Sequence, residues 1–200
     1  MKYDFVEIGT SWFGTIVENC NESAVGICVE PIKEYLDMLV NKPNVKKINC
    51  GINFDNSNSD VVIHYVPKQV LEDNNITDWW VSGCNSINDY HPEHKWRKIE
   101  HLVKKDIVLG IPIAKLFIDN NIEELTHLKI DTEGGDAYIL MHFLKYLENK
   151  PKSIYPKKIT FESNSLTPSY LVDFVIYEYL KIGYVITFRN LSDTELEFRP

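Results

Sequence analysis

Apolar positions along this chain keep two rhythms. Short continuous runs alternate with stretches in which apolar side chains return every third or fourth place, which are the periods of strand and helix. Residues 5–8, 26–29 and 45–48 read as the first three strands, and 32–40, with Tyr35, Leu36, Leu39 and Val40 at helical spacing, as the helix between the last two. After a clear β run at 61–66, residues 73–106 are polar, aromatic and irregular, long enough to be a functional loop. Order returns at 107–113, and strands follow at 125–130, 158–162 and 184–188. Helix-like segments near 137–148 and 168–181 separate them, and a last β run closes at 195–199. Such alternation predicts a mostly parallel sheet covered on both faces. The chain reads as a single domain over 1–200 with an inserted β/loop region at 60–113.

The end of the pattern narrows the class. The runs at 184–188 and 195–199 are joined by the short loop 190–194, which predicts an antiparallel hairpin. A doubly wound sheet ending in such a pair is associated with methyl transfer from S-adenosylmethionine, whereas dinucleotide dehydrogenases continue in parallel. The expected fold is therefore α/β and Rossmann-like, of the class I methyltransferase type, with about seven strands.

Composition removes several function classes. The formal charge of −8 over 200 residues, with no run of Lys and Arg, would repel a phosphate backbone, so nucleic acid is not an expected partner. No uninterrupted apolar stretch approaches the roughly 20 residues that a bilayer crossing needs, and the opening Met1-Lys2-Tyr3-Asp4 is no targeting segment. A cytoplasmic protein is the expectation. Cys20, Cys28, Cys50 and Cys84 never form a C-x-x-C pair, so free thiols in a reducing compartment are expected rather than disulfides or zinc.

Candidate chemistry begins at Asp4-Phe5-Val6-Glu7-Ile8-Gly9-Thr10-Ser11-Trp12-Phe13-Gly14, an apolar strand running into an acidic, glycine-containing turn. A pyrophosphate would need the spacing G-x-G-x-x-G so that backbone amides can approach it, and this bulkier turn lacks it. Gly9, Thr10 and Ser11 suit a ligand without phosphates, and Glu7 could attract the ammonium of a methionine moiety. A second short strand ends in Val29-Glu30-Pro31-Ile32, where Glu30 is placed to hold a ribose diol. Each motif also has a plain reading, Glu7 in a tight turn and Glu30 as a carboxylate complementing a helix start.

A third strand ends in Asp131-Thr132-Glu133-Gly134-Gly135-Asp136. Asp-Thr-Glu-Gly between a strand and a helix resembles the Asp-Val-Glu-Gly signature of FkbM-type S-adenosylmethionine-dependent methyltransferases. Val6-Glu7-Ile8-Gly9-Thr10 resembles that family's first motif, Val29-Glu30-Pro31 its second, and the segment from Val45 through Cys50, Gly51 and Ile52 the strand and turn near the adenine. The segment from Ile111 to Phe117 is similar to the approach to the acidic motif, and Ile159-Thr160-Phe161-Glu162 to the strand after it. The chain departs from the family in carrying Glu7 where Asp is common, in a turn one residue longer, and across 73–106. The resemblance covers about residues 4 to 165. It implies methyl transfer from a sulfonium to a hydroxyl, commonly of a sugar or another small hydroxylated compound, with S-adenosylhomocysteine as product.

Such a displacement requires alignment of the acceptor oxygen and removal of its proton. Asp131 is the first candidate, as base, as orienting group, or as ligand of a cation that lowers the hydroxyl pKa; Glu133 is the second. The alternative is that they cap the helix starting near Asp136. No metal is expected, although a divalent cation would be compatible with these acids. The inserted region is the expected acceptor side, with Trp79 and Trp80, then Asn85, Ser86, His91 and His94. Aromatic faces cover sugar faces, Asn and Ser satisfy hydroxyls, and His91 is the candidate proton acceptor there, with His94 beside it. Trp12 is either part of this pocket or core, and His64 reads as packed. A zinc reading of the histidines lacks both the H-E-x-x-H order and a third ligand. The expected partners are a small-molecule or glycan acceptor and, compatibly, a second copy in a homodimer. A NAD-type oxidoreductase and a cofactor-binding module without activity are the competing classes.

Overall fold

The computed structural model describes residues 1–87 and 89–199; Asn88, within the inserted region, and Pro200 lie outside the described residues. In chain order the first elements are β1 (Lys2–Ile8), α1 (Ile16–Asn19), β2 (Gly26–Val29), α2 (Lys33–Met38), β3 (Val45–Ile48) and β4 (Gly51–Ile52). The inserted region holds β5 (Val61–Tyr65), α3 (Lys68–Asp73), β6 (Ser86–Ile87), α4 (Pro92–Trp96), β7 (Lys104–Val108) and β8 (Gly110–Ile111). Then come α5 (Ile113–Asp119), β9 (Glu124–Ile130), α6 (Asp136–Leu147), β10 (Lys158–Glu162), α7 (Ser169–Lys181), β11 (Tyr184–Arg189) and β12 (Asp193–Phe198).

Seven of these strands form the central sheet in the order β11-β12-β10-β9-β1-β2-β3, parallel throughout except for β12, which runs antiparallel to both neighbours. The expected C-terminal hairpin is present, with its loop at 190–192. β2 reads as an unbroken apolar run because both of its faces are covered, all four residues being buried. On one face Val6, Ile27 and Leu128 join Leu140, Phe143 and Val175 in the main core; on the other, Phe5 and Cys28 pack with Val17, Leu36 and Leu39. α6 buries Ala137, Ile139, Leu140, Phe143 and Leu147, the one-sided stripe that its sequence spacing predicts.

From β1 the chain winds outward through β2 and β3, then returns to the other side of β1 as β9. The carboxyl ends of β1 and β9 therefore bound a topological switch point, the crevice in which ligands sit in open α/β sheets.

The inserted region is more ordered than its sequence suggests. β4 and β8 pair in parallel at its neck, and β5 lies between β6 and β7 in a separate three-stranded antiparallel sheet. Val66, Leu71, Val81 and Ile99 give it a small core of its own. The run at 107–113, expected as one strand, divides into the end of β7, all of β8 and the start of α5, because Pro112 cannot donate to a ladder and stands at the helix N-cap instead. All four thiols are free, with Cys28, Cys50 and Cys84 buried. No described helix is long and apolar enough to cross a membrane.

Candidate functional site

The site is built where β1 meets β9. Gly9, just past β1, has φ +77, and a Cβ there would stand 1.8 Å from the Asp131 carbonyl oxygen, so only glycine lets the two strand ends close together. The turn after it is fixed by Glu30 from the neighbouring strand. The Glu30 carboxylate, 2 % exposed, accepts from the Ser11 amide at 2.7 Å and from the Ile32 amide at 2.9 Å. Burial pushes Glu30 up to about 7, opposed by those two amides.

Glu7 is fully buried, with both carboxylate oxygens engaged. One oxygen is 2.8 Å from the Lys129 ammonium, the residue opposite it in the β1–β9 register, and the other accepts from the Ile16 amide at the start of α1 at 2.8 Å. Burial raises the Glu7 pKa, while Lys129 holds it down.

Across the crevice stands a different kind of acid. Asp131, Glu133 and Glu162 each offer an oxygen, and these atoms lie within 4.8 Å of one another. Burial raises all three, and repulsion from the neighbouring acids adds to it for Glu133 and Glu162, taking them up to about 9. At neutral pH those two keep their protons, which leaves Asp131, next to the Lys129 charge, as the accepting oxygen. Asn164 donates to one Glu162 oxygen at 2.5 Å, while the other is buried without a partner. Oxygen donors of this kind suit Mg²⁺, Mn²⁺ or Ca²⁺ only when Glu133 and Glu162 give up those protons. Neither Asp131 nor Glu133 caps α6, whose N-cap is Gly135 without a side-chain bond. The buried Asp136 stabilises that corner instead, accepting from the Thr132 amide at 2.8 Å and from the Glu162 amide at 2.8 Å. Glu133 holds φ +55, a left-handed conformation costly for a residue with a Cβ.

His91 joins this cluster as a donor. Its Nδ1 accepts from the Glu93 amide at 3.1 Å as the cap of α4, so Nε2 carries the proton and points at Glu133 Oε2, 3.0 Å away. Burial lowers the His91 pKa, consistent with a neutral ring. Cys84, His91 and Glu133 also converge within 4.8 Å, but a protonated Nε2 is not a metal ligand.

These groups line a cavity of about 820 Å³. Of the residues singled out from sequence, Gly9, Thr10, Ser11, Glu30, Pro31, Cys50, Gly51, Asn85, His91, Asp131 and Glu133 line it. Glu7, Trp12, Ile32, Ser86 and His94 do not, which corrects the placement expected of them. Glu7 is turned toward Lys129 as described. The Trp12 indole donates to Ser82 Oγ at 2.8 Å and lies under the Lys68 ammonium. Ile32 belongs to a buried cluster with Tyr35, Ile63 and Tyr65. Ser86 is bridged to His64 in the small sheet, and His94 is fully buried with its ring against His91. Sequence reading missed Lys129, Glu162 and Asn164. Two signals were present: Lys129 is a charge between the buried Leu128 and Ile130, and Glu162 ends a strand on the same edge as the other acids. A scan of family models gives no match to this chain, and a search of curated proteins gives none either.

Proposed function

We propose that this protein is an S-adenosylmethionine-dependent O-methyltransferase acting on a hydroxyl of a sugar, glycan or other small hydroxylated acceptor. The observation that carries the reading is an acid-rich cavity at the switch point of a sheet whose final strand runs antiparallel. Carboxylates there favour a cationic, phosphate-free cofactor and oppose a dinucleotide pyrophosphate. The order of the FkbM-like motifs along the chain supports the same class.

When bound, the cofactor supplies a methyl group made electrophilic by its sulfonium. The chain's part is position and proton transfer. The Gly9–Gly14 turn, fixed through Ser11 by Glu30, shapes one wall, and Pro31, Cys50 and Gly51, which also line the cavity, would hold the adenosine. Asp131 would take the proton of the acceptor hydroxyl as that oxygen is methylated; its raised pKa brings it nearer the operating pH of a general base. Glu133, oriented by His91, and Glu162, oriented by Asn164, hold the hydroxyl beside Asp131. On the acceptor side, Trp79, Trp80 and Trp96 stand exposed at the cavity rim, with Asn85 and Ser165 among them, a surface suited to sugar faces and hydroxyls.

A thermal shift with S-adenosylhomocysteine tests the cofactor. At about 100 times its dissociation constant it should add about 2.7 kcal/mol of stability, while NAD should add none. A shift from NAD alone would contradict the reading.

A further inference from the structure

We infer that Lys129 forms a carboxylate subsite in this cavity, which takes the amino-acid end of the cofactor. The inference rests on the methyltransferase reading and adds a residue and a contact to it. Among the described residues that line the cavity, Lys129 is the one Lys or Arg, against Glu30, Glu93, Asp131, Glu133 and Glu162. A zwitterionic amino-acid tail brings a carboxylate close to Asp131, and Lys129 is the charge in this wall that can pair with it. The Lys129 side chain is 23 % exposed, and the residue stands in the cavity wall.

The ammonium is held in place but not used up. Glu7 takes one of its three hydrogens at 2.8 Å, and Gly14 O stands at a long 3.5 Å. The Ile16 amide fixes the second Glu7 oxygen, so Glu7 acts as an anchor for Lys129, whose ammonium has further hydrogens to offer a ligand. Burial works against the Lys129 charge, but Glu7, together with Asp131 and Asp193, more than offsets it, so the charge persists. The subsite lies under the Gly9–Gly14 turn, next to Asp131 on the same strand edge.

Isothermal titration of S-adenosylhomocysteine and of 5′-methylthioadenosine, which lacks the amino-acid tail, separates the possibilities. Wild-type protein should bind the former more tightly. Lys129→Gln should weaken S-adenosylhomocysteine roughly 10- to 100-fold, the scale of one charge-assisted hydrogen bond, and leave methylthioadenosine within about twofold. Because Lys129→Gln strands Glu7, the double variant Glu7→Gln/Lys129→Gln, which buries no unpaired charge, is measured beside it and should show the same selective loss. Equal losses for both ligands, or none for either, would overturn the subsite while leaving the cofactor assignment intact. Failure of wild-type protein to bind either nucleoside would instead remove the methyltransferase reading and the subsite with it.

Discussion

Two sets of carboxylates end neighbouring strands of one sheet, yet they are employed differently. Glu7 and Glu30 have every oxygen engaged, by Lys129, Ile16, Ser11 and Ile32. Asp131 meets no side-chain or backbone donor among the described residues, and Glu162 keeps one buried oxygen without a partner. A carboxylate whose lone pairs are filled by the backbone is part of the scaffold, because removing it strands donors. One left unfilled in a cavity raises its own pKa and destabilises the empty site, a cost that has meaning only if something cationic or protic arrives.

Exchanging one acid from each set breaks the comparison most sharply. Asp131→Asn should cut turnover about 10²- to 10⁴-fold, the usual weight of a general base, with melting little changed. Glu30→Gln should do the reverse, costing about 1–3 kcal/mol of stability because an amide cannot accept from both Ser11 and Ile32. Activity assays with mass detection of one added methyl, paired with denaturant melts, check both. Equal stability losses for the two variants would erase the distinction between scaffold and reactive acids.

A smaller effect sharpens it. Glu162 moves from an ordinary value of 4.5 to about 9 in the folded protein, so folding holds its proton more tightly. Its contribution to stability is complete below pH 4.5 and is lost as pH rises through about 9. Melting temperature should therefore fall between pH 6 and 9 in metal-free buffer. Glu162→Gln, which removes one of the titrating groups and leaves Glu133, should reduce that slope and gain on the order of 2 kcal/mol near pH 9. An unchanged slope would mean that Glu162 is not the strained group.

Much of this was legible in the sequence. The strands at 26–29 and 45–48 and the helices at 137–148 and 168–181 fall where the sequence pattern puts them, the strands as short apolar-ended runs in the sheet and the helices as one-sided apolar stripes packed against it. The inserted region was harder, since α3, β6 and α4 are too short for any period to repeat, and its small core is assembled from positions far apart in the chain. At the site, glycines and strand-ending acids mark the crevice, but which acid is neutralised depends on register. That Lys129 lies opposite Glu7 is a property of the β1–β9 pairing, which local sequence does not carry. His91 shows the same limit. Its tautomer follows from a helix cap, and that turns an expected proton acceptor into a donor for Glu133.

The central claim is that the crevice between Gly9 and Asp131 is the seat of an adenosyl cofactor. A crystal of the protein soaked with S-adenosylhomocysteine tests it most directly. The account predicts density along the Gly9–Gly14 turn, with the adenosine toward Glu30 and Cys50 and the sulfur toward Asp131. Density lodged elsewhere, or a crevice left empty at saturating ligand, would contradict it.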